Sequence, residues 1–274
     1  MNIFKILDQF TNDNLMDSKG NGIMSRKMAF NQFARMGKNI ALAAAPLGLV
    51  AVAGRKSYAK TMETPTEALQ LALTLEYLEA EFYELGLQSG VIPTGGREEK
   101  VFMQISKHES AHVDFLKAGL GDNSIDKPTF DFTVGGSFDP FNDDSQVDKA
   151  TSYAQFLALA QAFEDTGVRA YKGQAANLMS TPDLLTAALQ IHSVEARHAS
   201  EVRRIRGLKG WIVQDERGDG MPEATAAVYA GEDVTMQAGF NTASAFGGDA
   251  GTEAYDEPLT GAEATDIASL FIVS

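Results

Sequence analysis

Lys107-His108-Glu109-Ser110-Ala111-His112 and His192-Ser193-Val194-Glu195-Ala196-Arg197-His198 hold all four histidines of this 274-residue chain. Each stretch contains a Glu-x-x-His pair, Glu109/His112 and Glu195/His198. Residues three apart lie on one face of an α-helix, so each pair can aim a carboxylate oxygen and an imidazole nitrogen at one ion. Two such pairs predict a helical protein with a dinuclear metal site.

The surroundings of the pairs nearly repeat. Glu76 precedes Glu109 by 33 residues, and Glu164 precedes Glu195 by 31. Tyr83 and Tyr171 each follow one of these upstream glutamates by seven positions, two turns along the same helical face. The chain therefore reads as a duplicated helix pair, with tyrosines placed to hydrogen-bond the glutamates or to take part in one-electron chemistry.

Four helices follow from the apolar spacing. The first runs from Pro65 to about Ser89, with Thr64 as N-cap and Gly90 as stop. Its inward stripe is Leu69, Leu73, Glu76, Ala80, Tyr83 and Leu87, the seam of a helix bundle with a glutamate where leucine belongs. The second, about 97–118, has the stripe Phe102, Ile105, Glu109, His112 and Leu116; the third, about 152–179, carries Leu157, Glu164, Gly167 and Tyr171 inward. The fourth begins at Pro182, presents Ile191, Glu195, His198 and Val202, and ends before Gly207. Residues 121–150 break the pattern and enclose an alternating piece, Thr129-Phe-Asp-Phe-Thr133. So long a link suits a crossover that sets the second and third helices parallel.

In every helix an acidic or imidazole residue interrupts an apolar stripe. An ionised carboxylate in a core costs several kcal/mol unless it is paired. Four without compensation would rival the whole stability of a domain, ~5–15 kcal/mol. Two divalent cations would balance them. The other polar residues near the stripes read differently: His108 and His192 as surface or capping residues, Glu79 and Glu81 as solvated, and Asp165 as a salt-bridge partner of Arg197 or Arg169.

The chain lacks cysteine, which excludes disulfides, thiolate metal sites and cysteine nucleophiles. Oxygen and nitrogen ligands suit iron or manganese and are compatible with zinc. Residues 1–59 carry eight Lys/Arg against three Asp, whereas residues 60–274 carry 15 Lys/Arg against 34 Asp/Glu. Such an acidic body argues against nucleic acid as a partner.

Three regions emerge: residues 1–59, a bundle over 60–207, and a tail over 208–274 that wraps the bundle and ends in an amphipathic stretch, Leu259–Phe271. The first contains an uncharged run, Ile40–Gly54, too short for a comfortable membrane span of ~20 residues and followed by Ser57-Tyr-Ala59, the pattern of an export signal. Ser25-Arg26-Lys27-Met-Ala-Phe30 is similar to a twin-arginine signal with lysine as its second basic residue. The expectation is export to the periplasm or cell envelope. The alternative is an uncleaved interaction helix that contacts a partner or a membrane surface.

Three segments carry a family resemblance: Leu71-Ala-Leu-Thr-Leu-Glu-Tyr-Leu-Glu-Ala-Glu-Phe-Tyr83, Phe163-Glu-Asp-Thr-Gly-Val-Arg-Ala-Tyr-Lys-Gly173, and Ile191 through Gly207. Over residues 64–207 the chain resembles the bacterial ferritin-like domain proteins, related to plant desiccation-related proteins on the ferritin and rubrerythrin fold. The resemblance implies an all-α four-helix bundle with a long crossover between helices 2 and 3. It also implies a carboxylate-bridged di-iron or di-manganese centre. By motif position it makes Glu76 and Glu164 terminal carboxylates, Glu109 and Glu195 bridges, and His112 and His198 one imidazole on each metal. His108 and Val194 stand where some relatives have an aspartate that orients a ligand histidine.

Two functional readings result. In the first, the centre reacts with O2 or peroxide as a ferroxidase or peroxidase, or as a manganese catalase-like variant. In the second, the bundle is a stress-related structural or interaction scaffold with a structural metal or none. A homo-oligomer is compatible with either. A storage cage is the poorest fit, because leader, tail and crossover would crowd the faces used for assembly.

Overall fold

Local capping chemistry sets the helix ends. The computed structural model describes residues 63–143 and 147–273. In α1, Pro65–Ser89, Thr64 Oγ1 accepts the Glu67 N–H while the Glu67 carboxylate accepts the Thr64 N–H, and Gly90 ends the helix at φ 71°. Helix α2 spans Arg97–Leu120 and stops at Gly121. Helix α3, Lys149–Gln174, is capped by Asp148, which accepts from the N–H groups of Ala150 and Thr151. Helix α4, Pro182–Ile205, has proline at its first turn.

The third helix differs from its expected bounds. It begins three residues early, at the turn that Asp148 caps, and tightens after Gln174 into a 3-10 turn, Ala175–Leu178. The export-signal reading of residues 1–59 and the membrane-surface alternative lie outside the described residues. No helix among the described residues is long and apolar enough to cross a membrane.

Side-chain pairing fixes the topology. Tyr83 meets Glu164 and Tyr171 meets Glu76, so an advance of seven residues on α1 matches a retreat of seven on α3. These helices are antiparallel neighbours. The short link 90–96 makes α1 and α2 antiparallel as well, and α2 and α3 are therefore parallel. The crossover does what its length requires. Its alternating piece buries Phe130 and Phe132, and its backbone joins the chain's last residues: Asp131 N–H donates to Phe271 O, and Val273 N–H to Thr129 O.

Aromatic packing closes one end of the core. Phe82 and Phe156 stack at 4.7 Å, with Phe132, Phe141 and Phe163 against Phe82. Gly86 makes room for that stack, since a Cβ there would lie 2.3 Å from Phe156 Cε2.

Helix α3 is buried on every face from Phe156 to Tyr171. Its inner face meets the bundle and its outer face meets the tail. The tail contributes short helices α5 (Ala226–Tyr229), α6 (Thr242–Phe246), α7 (Gly248–Thr252) and α8 (Gly261–Ser269), and an antiparallel pair, β1 (Met236–Gln237) and β2 (Phe240–Asn241). Ile212, Val228, Tyr229, Leu259, Ala264 and Ile267 form a second apolar cluster with Leu75, Ala162 and Ala170.

Buried ions fasten this layer. Asp165 pairs with Arg203, at 3.1 Å to Nε and 2.5 Å to Nη2, and also accepts from Tyr229 Oη at 2.8 Å. This corrects the expected partners. Arg197 is exposed, whereas Arg169 turns outward to Glu232 at 2.6 Å and to the carbonyls of Val228, Ala230 and Glu257.

Candidate metal centre

Each bundle helix delivers one or two polar residues to the same level of the core. Glu76 on α1, Glu109 on α2, and Glu164 on α3 with Glu195 on α4 are all fully buried. His112 and His198 close the group at its α2 and α4 edges, with side chains 12% and 6% exposed.

The six residues form two overlapping sets. Glu76, Glu109, His112 and Glu195 each place one nitrogen or oxygen within 4.8 Å of the others, and so do Glu109, Glu164, Glu195 and His198. Glu109 and Glu195 belong to both sets. His112 Nδ1 lies 3.2 Å from Glu76, 3.0 Å from Glu109 and 3.2 Å from Glu195. His198 Nδ1 lies 2.9 Å from Glu109 Oε1 and 3.4 Å from Glu164 Oε2.

On the His198 side these short approaches are too oblique to be hydrogen bonds. Glu109 Oε1, Glu164 Oε2, both oxygens of Glu195 and His198 Nδ1 are buried without a hydrogen-bond partner. Buried polar atoms are nearly always satisfied, and exceptions call for a reason. Five such atoms in one buried cluster could hold a hard or borderline cation.

The tyrosines complete the arrangement across the bundle. Tyr83 Oη donates to Glu164 Oε1 and Tyr171 Oη to Glu76 Oε1, both at 2.5 Å. Glu76 and Glu164 thus each have one oxygen fixed and the other turned toward a histidine. Burial and the adjoining carboxylates push both phenols well above their ordinary range, so they stay protonated donors.

Electrostatics reflect four carboxylates in one dry space. Burial pushes Glu109 up to about 7 and Glu164 up to about 8. Burial would also raise Glu195, but the imidazoles of His112 and His198, at 3.2 Å and 3.7 Å, hold it down to about 2. His112 resists protonation through burial, yet the carboxylates of Glu109, Glu195 and Glu76 around its Nδ1 lift it to about 12. Against burial, Glu164 and the other carboxylates raise His198 as well, so without a bound ion an imidazolium on each side would partly offset them.

The chain belongs to the ferritin-like domain family.

That family's model, described as a ferritin-like domain, matches residues 64–208, more than half of the chain. No curated protein matches the sequence. The ferritin-like domain covers all four long helices, so the site falls wholly within it.

Two residues of this ferritin-like domain lie elsewhere than expected. Glu79 is buried, not solvated, and burial followed by the charge of Glu195 and Glu164 raises its carboxyl well above the ordinary range. It lies three positions from Glu76, about 60° off the seam, where Ile267 and Phe271 of the tail cover it. A Cβ on Gly167 would come within 3.3 Å of Glu79 Oε1 and 3.5 Å of Glu195 Oε2, so glycine gives both carboxyls room. The i, i+3 spacing of Glu76 and Glu79 was the available signal.

His108 is the second. It is half-buried and stacks on His198 with ring centroids 5.1 Å apart, its Nδ1 2.9 Å from His198 Nε2. Both rings line an open cleft of about 870 Å³ between α2 and α4, rimmed by Arg97, Lys100 and Arg197. His192 stands apart from the cluster, half-buried, and Glu81 pairs with Lys127 at 2.5 Å.

Proposed function

We propose that the buried Glu/His cluster is a dinuclear metal centre that carries out redox chemistry with O2 or peroxide. The observation behind this reading is that five buried atoms of Glu109, Glu164, Glu195 and His198 have no hydrogen-bond partner within one cluster of possible ligands. One ion would be held by Glu76 and His112, the other by Glu164 and His198, with Glu109 and Glu195 shared. Iron and manganese suit this donor set, and zinc would fit a site without redox work.

Two divalent ions would bring four carboxylates to zero net charge, which would offset their burial cost. Two neighbouring redox ions can share a two-electron load. The protein's own part is positional. Tyr83 and Tyr171 fix the terminal carboxylates, Gly167 keeps the floor open, and the aromatic stack around Phe82 excludes water at one end.

Elemental analysis of the natively produced protein and stopped-flow oxidation of its Fe(II)-loaded form test the proposal. Two equivalents of metal and oxidation lost in Glu109→Ala support it. Metal-free protein whose properties are indifferent to Glu109→Ala overturns it.

The contacts of His112 favour one alternative. Its Nδ1 reaches three carboxylates, and a protonated imidazole there supplies part of the missing cation. A metal-free scaffold protein would use the cluster this way, and it would show no stoichiometric metal in the same analysis. By its leader-like residues 40–59, we place the protein in the cell envelope, which mass spectrometry of the native N-terminus tests.

A further inference from the structure

The two halves of the cluster are not equivalent, and the difference lies in what stands behind each imidazole. His198 Nδ1 faces Glu109 and Glu164, while its Nε2 meets His108 Nδ1 at 2.9 Å. The far nitrogen of His108, Nε2, lies 2.6 Å from the side-chain amide nitrogen of Gln104, one turn back on α2. Three side chains therefore form one hydrogen-bonded row from the cleft to the centre. The matching position in the second pair is Val194, which has no side-chain donor or acceptor.

Proton accounting gives the row a direction. An imidazole that offers Nδ1 to an ion carries its proton on Nε2. That proton can only be donated to His108 Nδ1, which must then be the acceptor. His108 would then be protonated on Nε2, and the Gln104 amide, whose nitrogen faces that atom in the structure, would turn over to accept with its oxygen. Both directions along the row satisfy Gln104 and His108, but only this one leaves His198 Nδ1 free for an ion. The reverse arrangement puts the proton on His198 Nδ1, where an ion would sit.

We infer that His108 is a positioning residue that locks His198 in its metal-binding tautomer and so makes the His198 ion the more firmly held of the two. Resting on the dinuclear reading above, the inference concerns this chain's own residue at a place where some relatives use aspartate. The stacked ring also restrains the orientation of His198 on the side open to the cleft. Partners of this kind typically change metal affinity by 10–100-fold.

The test uses full-length, metal-free protein titrated with Co(II) and followed by its absorption, together with NMR of the exchangeable imidazole protons in the loaded form. In His108→Leu, one Co(II) equivalent should weaken by about 10–100-fold while the other is unchanged, and the slowly exchanging His198 Nε2 proton should be lost. In His108→Gln, whose amide oxygen can accept the same proton, the affinity and the slow proton should both return. Circular dichroism verifies that the variants fold. Equal weakening of both equivalents, no weakening, or failure of His108→Gln to restore the proton overturns the inference while leaving the dinuclear reading intact. Absence of Co(II) binding in the unaltered protein overturns both.

Discussion

Tyr171 on α3 donates its phenol proton to Glu76 on α1 at 2.5 Å, and Tyr83 on α1 returns the relationship to Glu164 on α3. The duplicated Glu-x6-Tyr spacing is thus used between helices and not within one. Antiparallel packing makes each tyrosine the partner of the other repeat's glutamate.

Removing either hydroxyl leaves a buried carboxylate oxygen unsatisfied. A hydrogen bond to a charged group contributes ~1.5–3 kcal/mol, so Tyr171→Phe and Tyr83→Phe should each lower the unfolding free energy by about 2 kcal/mol. Denaturant titration checks this. A loss of this order is expected in each; no loss in either would show that the carboxylate oxygens are satisfied another way.

Metal loading should stabilise the fold, because an ion bound only by the native state adds RT ln(1 + [L]/Kd). At a free ion concentration of about 100 Kd the gain is ~2.7 kcal/mol, or roughly 5–10 °C for a chain of this size. Thermal scans with and without Mn(II) should show that rise in the unaltered protein and none in Glu195→Gln.

The seam of the bundle was legible because Glu76, Glu109, Glu164, Glu195, His112 and His198 fall on helical stripes that obey local periodicity. The crossed tyrosine pairs were half legible: spacing gave the residues, but only tertiary register gives their partners. Glu79 and Asp165 were misread for one shared reason. Both lie off the seam on faces that would be solvated in a bare bundle, and residues far away in the chain, Phe271 and Tyr229, cover them. Irregular segments such as 208–259 have no period from which such docking could be read. His108 was missed because stacking on α4 depends on how closely α2 approaches it.

The Asp165–Arg203 pair should be costly to break from one side. Arg203→Met leaves a buried carboxylate with only Tyr229 and should lose ~3–5 kcal/mol. Replacing both residues with apolar ones should recover most of that loss, because neither charge is then stranded. Chemical denaturation of the two single variants and the double variant measures the coupling. Additive losses would mean that the pair does not act as a unit.

Gly173 is where the tail touches α3 most closely. An added Cβ would lie 1.7 Å from Leu259 O, an approach that only backbone movement can relieve. Gly173→Ala should therefore loosen the tail before it unfolds the bundle. Limited proteolysis should cleave within 208–273 faster than in the unaltered protein, while the helical circular dichroism falls only slightly.

Glu232 offers a pH test of the tail's attachment. Its Oε1 pairs with Arg169 Nε at 2.6 Å and accepts the Glu257 N–H, while Oε2 is buried without a hydrogen-bond partner. Burial pushes its carboxyl up to about 7 against the opposing pull of Arg169. With the folded value raised above the ordinary 4.5, the native state binds the proton more tightly than the unfolded chain between those two values. This contribution to stability is complete below about pH 4.5 and is lost as pH rises through 7. Gln cannot titrate, so Glu232→Gln should gain on the unaltered protein as pH is raised from 5 to 8, by on the order of 1 kcal/mol. Paired urea titrations across that range check the sign: a gap that is constant, or that moves the other way, would mean that Arg169 keeps Glu232 ionised throughout.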